Sequence, residues 1–164
     1  MRVYIPATFS MLKSLDSNGV IHARNGWGFA ATPELTEFFT SGDQEEIEAI
    51  AFDDAALASI RLLAIGGEEQ FPHRRVVVSV DAEVQPQQEM GESVVKLTGP
   101  VELKDVAAIH VDVKEAEEAT AKAIEAIDAA DLGDEDAELT VGDAQDNYMA
   151  FYDPSELPFL IELL

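Results

Sequence analysis

The run Val76-Val77-Val78-Ser79-Val80 constrains this chain more than any other feature. Four β-branched valines around a single serine, with no polar alternation, are too apolar for an exposed edge strand. Whatever else the chain builds must cover this strand. The neighbouring sequence supplies candidates. Arg2 to Ile5 alternates polar and apolar side chains and halts at Pro6, which predicts a first strand. Val20 to Ala31 is expected to be extended but broken at Asn25-Gly26 and Gly28, with Phe29-Ala30-Ala31 its best strand segment. Ser93 to Thr98 and Val101 to Leu103 flank Gly99-Pro100, and Ala107 to Val111 forms another strand. Gln85 to Gly91 is read as a polar linker, and Tyr148 to Tyr152 as a closing strand.

Helices alternate with these segments. Thr8 or Ser10 can cap a short helix through Leu15 that stops at Asn18-Gly19. Thr32-Pro33 is a hydroxyl cap followed by proline at the first helical position. Asp43 followed by Glu46 resembles a capping box for a helix running to Ile65, with Gly66-Gly67 at its end. Spacing alone makes Phe38, Phe39, Ile47 and Ile50 core candidates. Glu115 to Ala130 is the clearest amphipathic helix, with Asp112 as its expected cap and Leu132-Gly133 as its end. Ala137 to Asn147 has no clear period. Asp153-Pro154-Ser155-Glu156 opens a last short helix that Pro158 is expected to bend. Intermixed strands and helices over residues 1–164, with no internal repeat and nothing that marks a second domain, predict one α+β domain, a mixed β-sheet covered by helices.

Composition limits function. The net charge is -23, from 33 acids against 10 bases, and 15 of the acids but only two bases lie in residues 113–164. Such a surface repels phosphate backbones and argues against nucleic-acid binding. A hydrophobic fraction of 47% still predicts folding, unlike a disordered acidic tail. Acid-rich surfaces also keep proteins soluble, which is the simplest reading of the charge. The absence of cysteine excludes disulfides, thiolate zinc sites and a cysteine nucleophile. No window approaches 18 uninterrupted apolar residues and the N-terminus lacks a signal-like stretch, so a cytoplasmic address without membrane contact is expected.

Four constellations invite chemistry. His110 and Asp112 share one face of a strand, a spacing that would let them share a metal; no second His follows to complete a facial triad, and capping is the simpler task for Asp112. Asp131, Asp134, Glu135, Asp136 and Glu138 form an acidic loop without the EF-hand spacing, implying adventitious divalent-cation binding at most. His73-Arg74-Arg75 is the one dense basic patch; it suits a phosphate or carboxylate, although pairing with the chain's own acids is favoured. Trp27 stands between two glycines in a turn, as a partner contact or as a lid on the core. There is no Gly-x-Ser-x-Gly elbow, Walker loop, dinucleotide fingerprint or His-Glu-x-x-His motif.

The opening Met1-Arg2-Val3-Tyr4-Ile5-Pro6-Ala7-Thr8 resembles a family of short actinobacterial proteins of unknown function that begin Met-Arg-Val-Tyr-Val/Ile-Pro-Ala-Thr. The resemblance continues through Ala31-Thr32-Pro33-Glu34-Leu35, Arg74-Arg75-Val76-Val77, Gly99-Pro100-Val101 and Ala107-Ala108-Ile109-His110-Val111-Asp112. It extends to Asp131-Leu132-Gly133-Asp134-Glu135-Asp136-Ala137 and Phe151-Tyr152-Asp153. It implies no catalytic residues. The leading expectation is a soluble, non-enzymatic cytoplasmic domain that binds a protein or small molecule through Arg74, Arg75, Trp27, His110 or Asp112. The alternative is a metal-dependent enzyme built from His110, Asp112 and the loop acids Asp131, Asp134 and Asp136. A third is an acidic mimic of DNA that captures a basic partner. Oligomeric state is not legible.

Overall fold

The valine run becomes the middle of a seven-stranded sheet. A computed structural model describes residues 1–39 and 41–163. In chain order the strands are β1 (Arg2–Ala7), β2 (Val20–Ile21), β3 (Trp27–Ala30), β4 (Val76–Asp81), β5 (Val84–Pro86), β6 (Val94–Leu97), β7 (Val101–Glu102), β8 (Val106–Asp112) and β9 (Met149–Tyr152). The helices are α1 (Phe9–Asn18), α2 (Pro33–Phe38), α3 (Gln44–Ile65), α4 (Glu117–Asp131), α5 (Glu135–Gln145) and α6 (Leu157–Glu162). The large sheet has the order β5-β6-β3-β1-β4-β8-β9, and β2 and β7 form a separate pair.

The single α+β domain is as expected, but every strand pair in it is antiparallel rather than mixed. The topology gives the reason. Helix α3 carries the chain from β3 to β4, yet β1 lies between those two strands and runs against both. Between β8 and β9 the chain inserts two helices, α4 and α5, which lets β9 return alongside β8 in the opposite direction.

Period-two burial explains the valine run. Val76, Val78 and Val80 join Val3, Ile5, Phe9, Leu12 and Leu157 beneath α1 and α6. Val77 faces the other way, with Tyr4, Ile47, Ala51 and Ala55 beneath α3. A third cluster, around Ile60, Ala123, Ile127 and Val141, joins α3 to α4 and α5.

Several expectations change in detail. Strand β1 passes through Pro6, which lies opposite Val77, because the ladder with β3 is recorded only at Val3 and Tyr4. A residue without an N–H is tolerated where its ladder has ended. The supposed linker from Gln85 contains the end of β5, paired with β6. The weakly periodic segment after Gly133 is α5, whose buried Ala137, Val141 and Ala144 repeat at helical spacing but are small. Pro158 sits in the first turn of α6, where proline costs nothing, so it bends nothing. Thr8, Thr32 and Asp43 cap their helices, and Gly19, at φ 76°, closes α1.

Phe38 and Phe39 are not core residues. Helix α2 ends at Phe38, which is 67% exposed, and the two rings pack edge-on against each other at 5.0 Å instead. Gly28 is held by close packing: a Cβ there would lie 2.7 Å from Val3 Cγ1. Gly28→Ala is expected to destabilise the fold by about 1–3 kcal/mol through this overpacking. Denaturant unfolding checks it, and a variant as stable as the parent would contradict the packing account.

Candidate functional site

Arg75 immediately precedes β4 and Asp112 ends β8, and the register of those strands brings the two together in the interior. Arg75 is only 2% exposed. Its Nε donates to both carboxylate oxygens of Asp112 at 3.1 and 3.0 Å, and its Nη2 donates to Oδ1 at 2.6 Å. The Arg75 backbone N–H and the Thr120 hydroxyl both donate to Oδ2. The remaining guanidinium donors reach Gln145 Oε1 at 2.8 Å and the Asn147 carbonyl at 3.0 Å. Gln145 in turn donates to the Asp53 carbonyl in α3.

This geometry overturns the capping role of Asp112. Its carboxylate is consumed by Arg75 and Thr120, and α4 is entered through a short 3₁₀ turn, Lys114–Ala116, with no side-chain cap. Arg74 pairs with Glu117 at 3.0 Å, so both arginines of the basic patch meet the chain's own acids. In the acidic loop, Asp131 accepts two hydrogen bonds from Arg61, and Asp134 caps α5 by accepting from the Asp136 N–H. His110 and Asp112 lie far along the fold from that loop's partners. Among the described residues no three His, Asp or Glu side chains gather as an ion-binding group.

What sequence reading missed is the setting of His110. On the α3 face of the sheet an open crevice of about 420 Å³ lies between the N-terminal half of α3 and strands β1, β4 and β8. Its floor is Tyr4, Phe52, Ser79 and His110, and its wall carries Glu45, Glu48 and Asp53, with Arg2, itself paired with Asp81, at the edge. The three acids belong to one stripe of α3, with Phe52 between them. Ser79 Oγ and His110 Nε2 are in hydrogen-bond contact at 2.7 Å, and Phe52 meets the imidazole edge-on at 4.8 Å. Tyr4 donates to Glu48 Oε2 at 3.1 Å. A β-bulge beside Ser79, where Val80 pairs with Val106, inserts Ala107 next to this site. The capping Asp43 and helical spacing of α3 signal the wall; nothing local signals that Ser79 and His110 would become neighbours.

Burial dominates the electrostatics of the crevice. It lowers the His110 pKa from 6.5 to about 4, with Arg2 adding to the effect, so the imidazole is neutral at physiological pH. Burial, reinforced by the bond to Glu48, pushes the Tyr4 hydroxyl up to about 12. Asp53 is raised by burial and then by neighbouring Asp54. Ser79 is 2% exposed in mid-strand, and among the described residues nothing hydrogen-bonds the other ring nitrogen of His110. Ser79 and His110 thus meet as a pair, with no third group holding the imidazole among the described residues.

Trp27 lies elsewhere, half-buried in β3 against the C-terminal half of α3. No described helix is long and apolar enough to cross a membrane. Over residues 1–161 the chain matches the family of unknown function (DUF6912), and it belongs to that family. No curated protein and no solved structure matches it.

Two outcomes test these interactions. Asp112→Leu or Arg75→Met leaves a buried group without its charged partner and should cost roughly 3–5 kcal/mol, whereas the apolar double variant should recover much of that loss. Chemical unfolding of the three variants measures it. A depressed histidine contributes stability above pH 6.5, and that contribution is lost as pH falls towards about 4. The His110 Cε1–H resonance should accordingly titrate near the lower value, and His110→Gln should flatten that part of the stability profile. A midpoint near 6.5 would show that the imidazole is not desolvated.

Proposed function

We propose that this DUF6912 chain is a non-catalytic binding domain of the cytoplasm, whose partner presents an ammonium or guanidinium group to the His110 crevice. One observation carries the reading: a neutral imidazole and aromatic rings floor a crevice walled by three carboxylates, whose one lining cation, Arg2, is paired with Asp81. A protonated histidine would repel a cation there; a neutral one, edge-on to Phe52 and bonded to Ser79, does not. Aromatic faces and carboxylates are the complementary surroundings of a desolvated cation. The acid excess of the chain draws basic partners towards it over longer range.

The reading unites two sequence-based expectations, a partner-binding domain and an acidic surface that captures a basic partner. Titration with N-acetyl-arginine amide should shift the His110 and Phe52 ring signals saturably, and rising salt should weaken the response. The paired change Glu48→Gln with Asp53→Asn should weaken binding roughly fivefold, the effect of two half-screened charges. Absence of a saturable response at His110 would overturn the proposal. So would turnover of a phosphatase or esterase panel that disappears in His110→Gln.

A further inference from the structure

The other end of α3 has the opposite character. A hollow of about 200 Å³ opens between Pro6, Trp27 and Phe29 of the sheet and Ala58, Leu62 and Ile65 of α3. Its wall is apolar, and its polar rim is cationic. Arg24 stands on the rim in a tight turn, where Asn25 (φ 57°) is the one described non-glycine residue with positive φ and Gly26 follows at 76°. Asparagine tolerates that conformation better than most residues, so the turn holds Arg24 in place at small strain. Lys96 is the cross-strand partner of Trp27, and its stem runs over Gly26, with Cε 3.7 Å from where a Cβ would stand. Arg61 completes the rim but is held by Asp131.

Arg24 is the only arginine that forms no ion pair among the described residues, in a chain with 33 acids. Lys96 also has no ion pair among them. Arg24 borders a second, more polar trough that includes His22 and Glu68, and the carboxylate of Glu68 is engaged by the Ser10 N–H. An unpaired arginine on the rim of an apolar hollow, with Lys96 nearby on the strand paired with Trp27, specifies the missing group. We infer that this hollow binds a small apolar carboxylate, its hydrocarbon body against Trp27 and Leu62 and its carboxylate on the Arg24 guanidinium. The ligand is small because the hollow falls below the roughly 300–1,000 Å³ of sites for drug-sized molecules. A planar guanidinium suits a carboxylate through two parallel N–H···O bonds.

Trp27 is the only tryptophan, so its fluorescence reports the hollow directly. Hexanoate is the probe, with hexylamine and hexan-1-ol as isosteric controls. Hexanoate should shift the Trp27 emission saturably, hexanol should bind at least about tenfold more weakly, and hexylamine should not bind. Arg24→Ala should weaken hexanoate about tenfold or more without changing the melting temperature, since the residue is exposed, and Arg24→Lys should restore part of the loss. Ala58→Phe should fill the hollow and abolish the shift while the protein still melts cooperatively. Equal binding of the three probes would identify a merely greasy surface and overturn the assignment. Hexanoate affinity within twofold of the parent in Arg24→Ala would overturn it as well. Neither result bears on the His110 crevice, which these variants leave intact.

Discussion

The buried pair of Arg75 and Asp112 is the interaction on which the rest of the structure depends. Two charges withdrawn from water are stabilised only if nearly all their donors and acceptors are met. Here they are: Arg75 reaches Asp112, Gln145 and the Asn147 carbonyl, while Asp112 also accepts from Thr120 and from the Arg75 backbone. Those partners lie at the start of β4, the end of β8, the first turns of α4 and the exit of α5. The pair therefore fixes where the α4–α5 hairpin sits on the sheet, a position that the small alanine contacts between helices would define only loosely. By holding the end of β8 it also fixes His110, two residues earlier on the same face.

Much of the fold was legible because local signals and tertiary packing agree. Caps at Thr8, Thr32 and Asp43, glycines after α1 and α3, and the valine run all act within a few residues. The failures are equally physical. Helical spacing marked Phe38 and Phe39 as core, but α2 stops too early to bring them under the sheet. A cap-like spacing at Asp112 competed with a buried arginine 37 residues away, and the stronger charge-assisted bonds won. Asp53, Ser79 and His110 come from three elements distant in sequence. Only the register of β4 against β8, and the lie of α3 over both, joins them.

The distribution of the ten cationic side chains is more informative than the net charge. Arg2, Arg61, Arg74, Arg75, Lys104 and Lys122 each sit against a carboxylate, and most of these pairs are exposed and individually worth little. Lys13 lies over the Phe71 ring instead, and Arg24, Lys96 and Lys114 form no ion pair among the described residues. Against that background the acid-rich C-terminal third is largely surface. Its carboxylates lie on the outer side of α4, around the α4–α5 turn and along α5, while the inner sides pack on Ile60 through Ala123, Ile127 and Val141.

Helix α3 gives the molecule its polarity. At 22 residues it is about 33 Å long, and it spans the sheet from one site to the other. Its first turns carry Glu45, Glu46 and Glu48, where the positive end of the helix dipole favours carboxylates; Arg61 lies near its C-terminal end, where cations are favoured. The acids of its first half line the crevice, whereas at the hollow the only charge α3 contributes is the paired Arg61, and the rim cation Arg24 comes from the turn before β3. Because both walls belong to a single rigid helix, neither site can widen by moving α3 without disturbing the other. The buried Ser59 hydroxyl, bonded to the Ala7 carbonyl and the Val76 N–H, fastens the helix to the two central strands next to Ala58, at the hollow's end of α3. The hollow's wall is thus pinned to the sheet at Ser59, and the crevice wall, Glu45 to Asp53, lies beyond that anchor along the same helix.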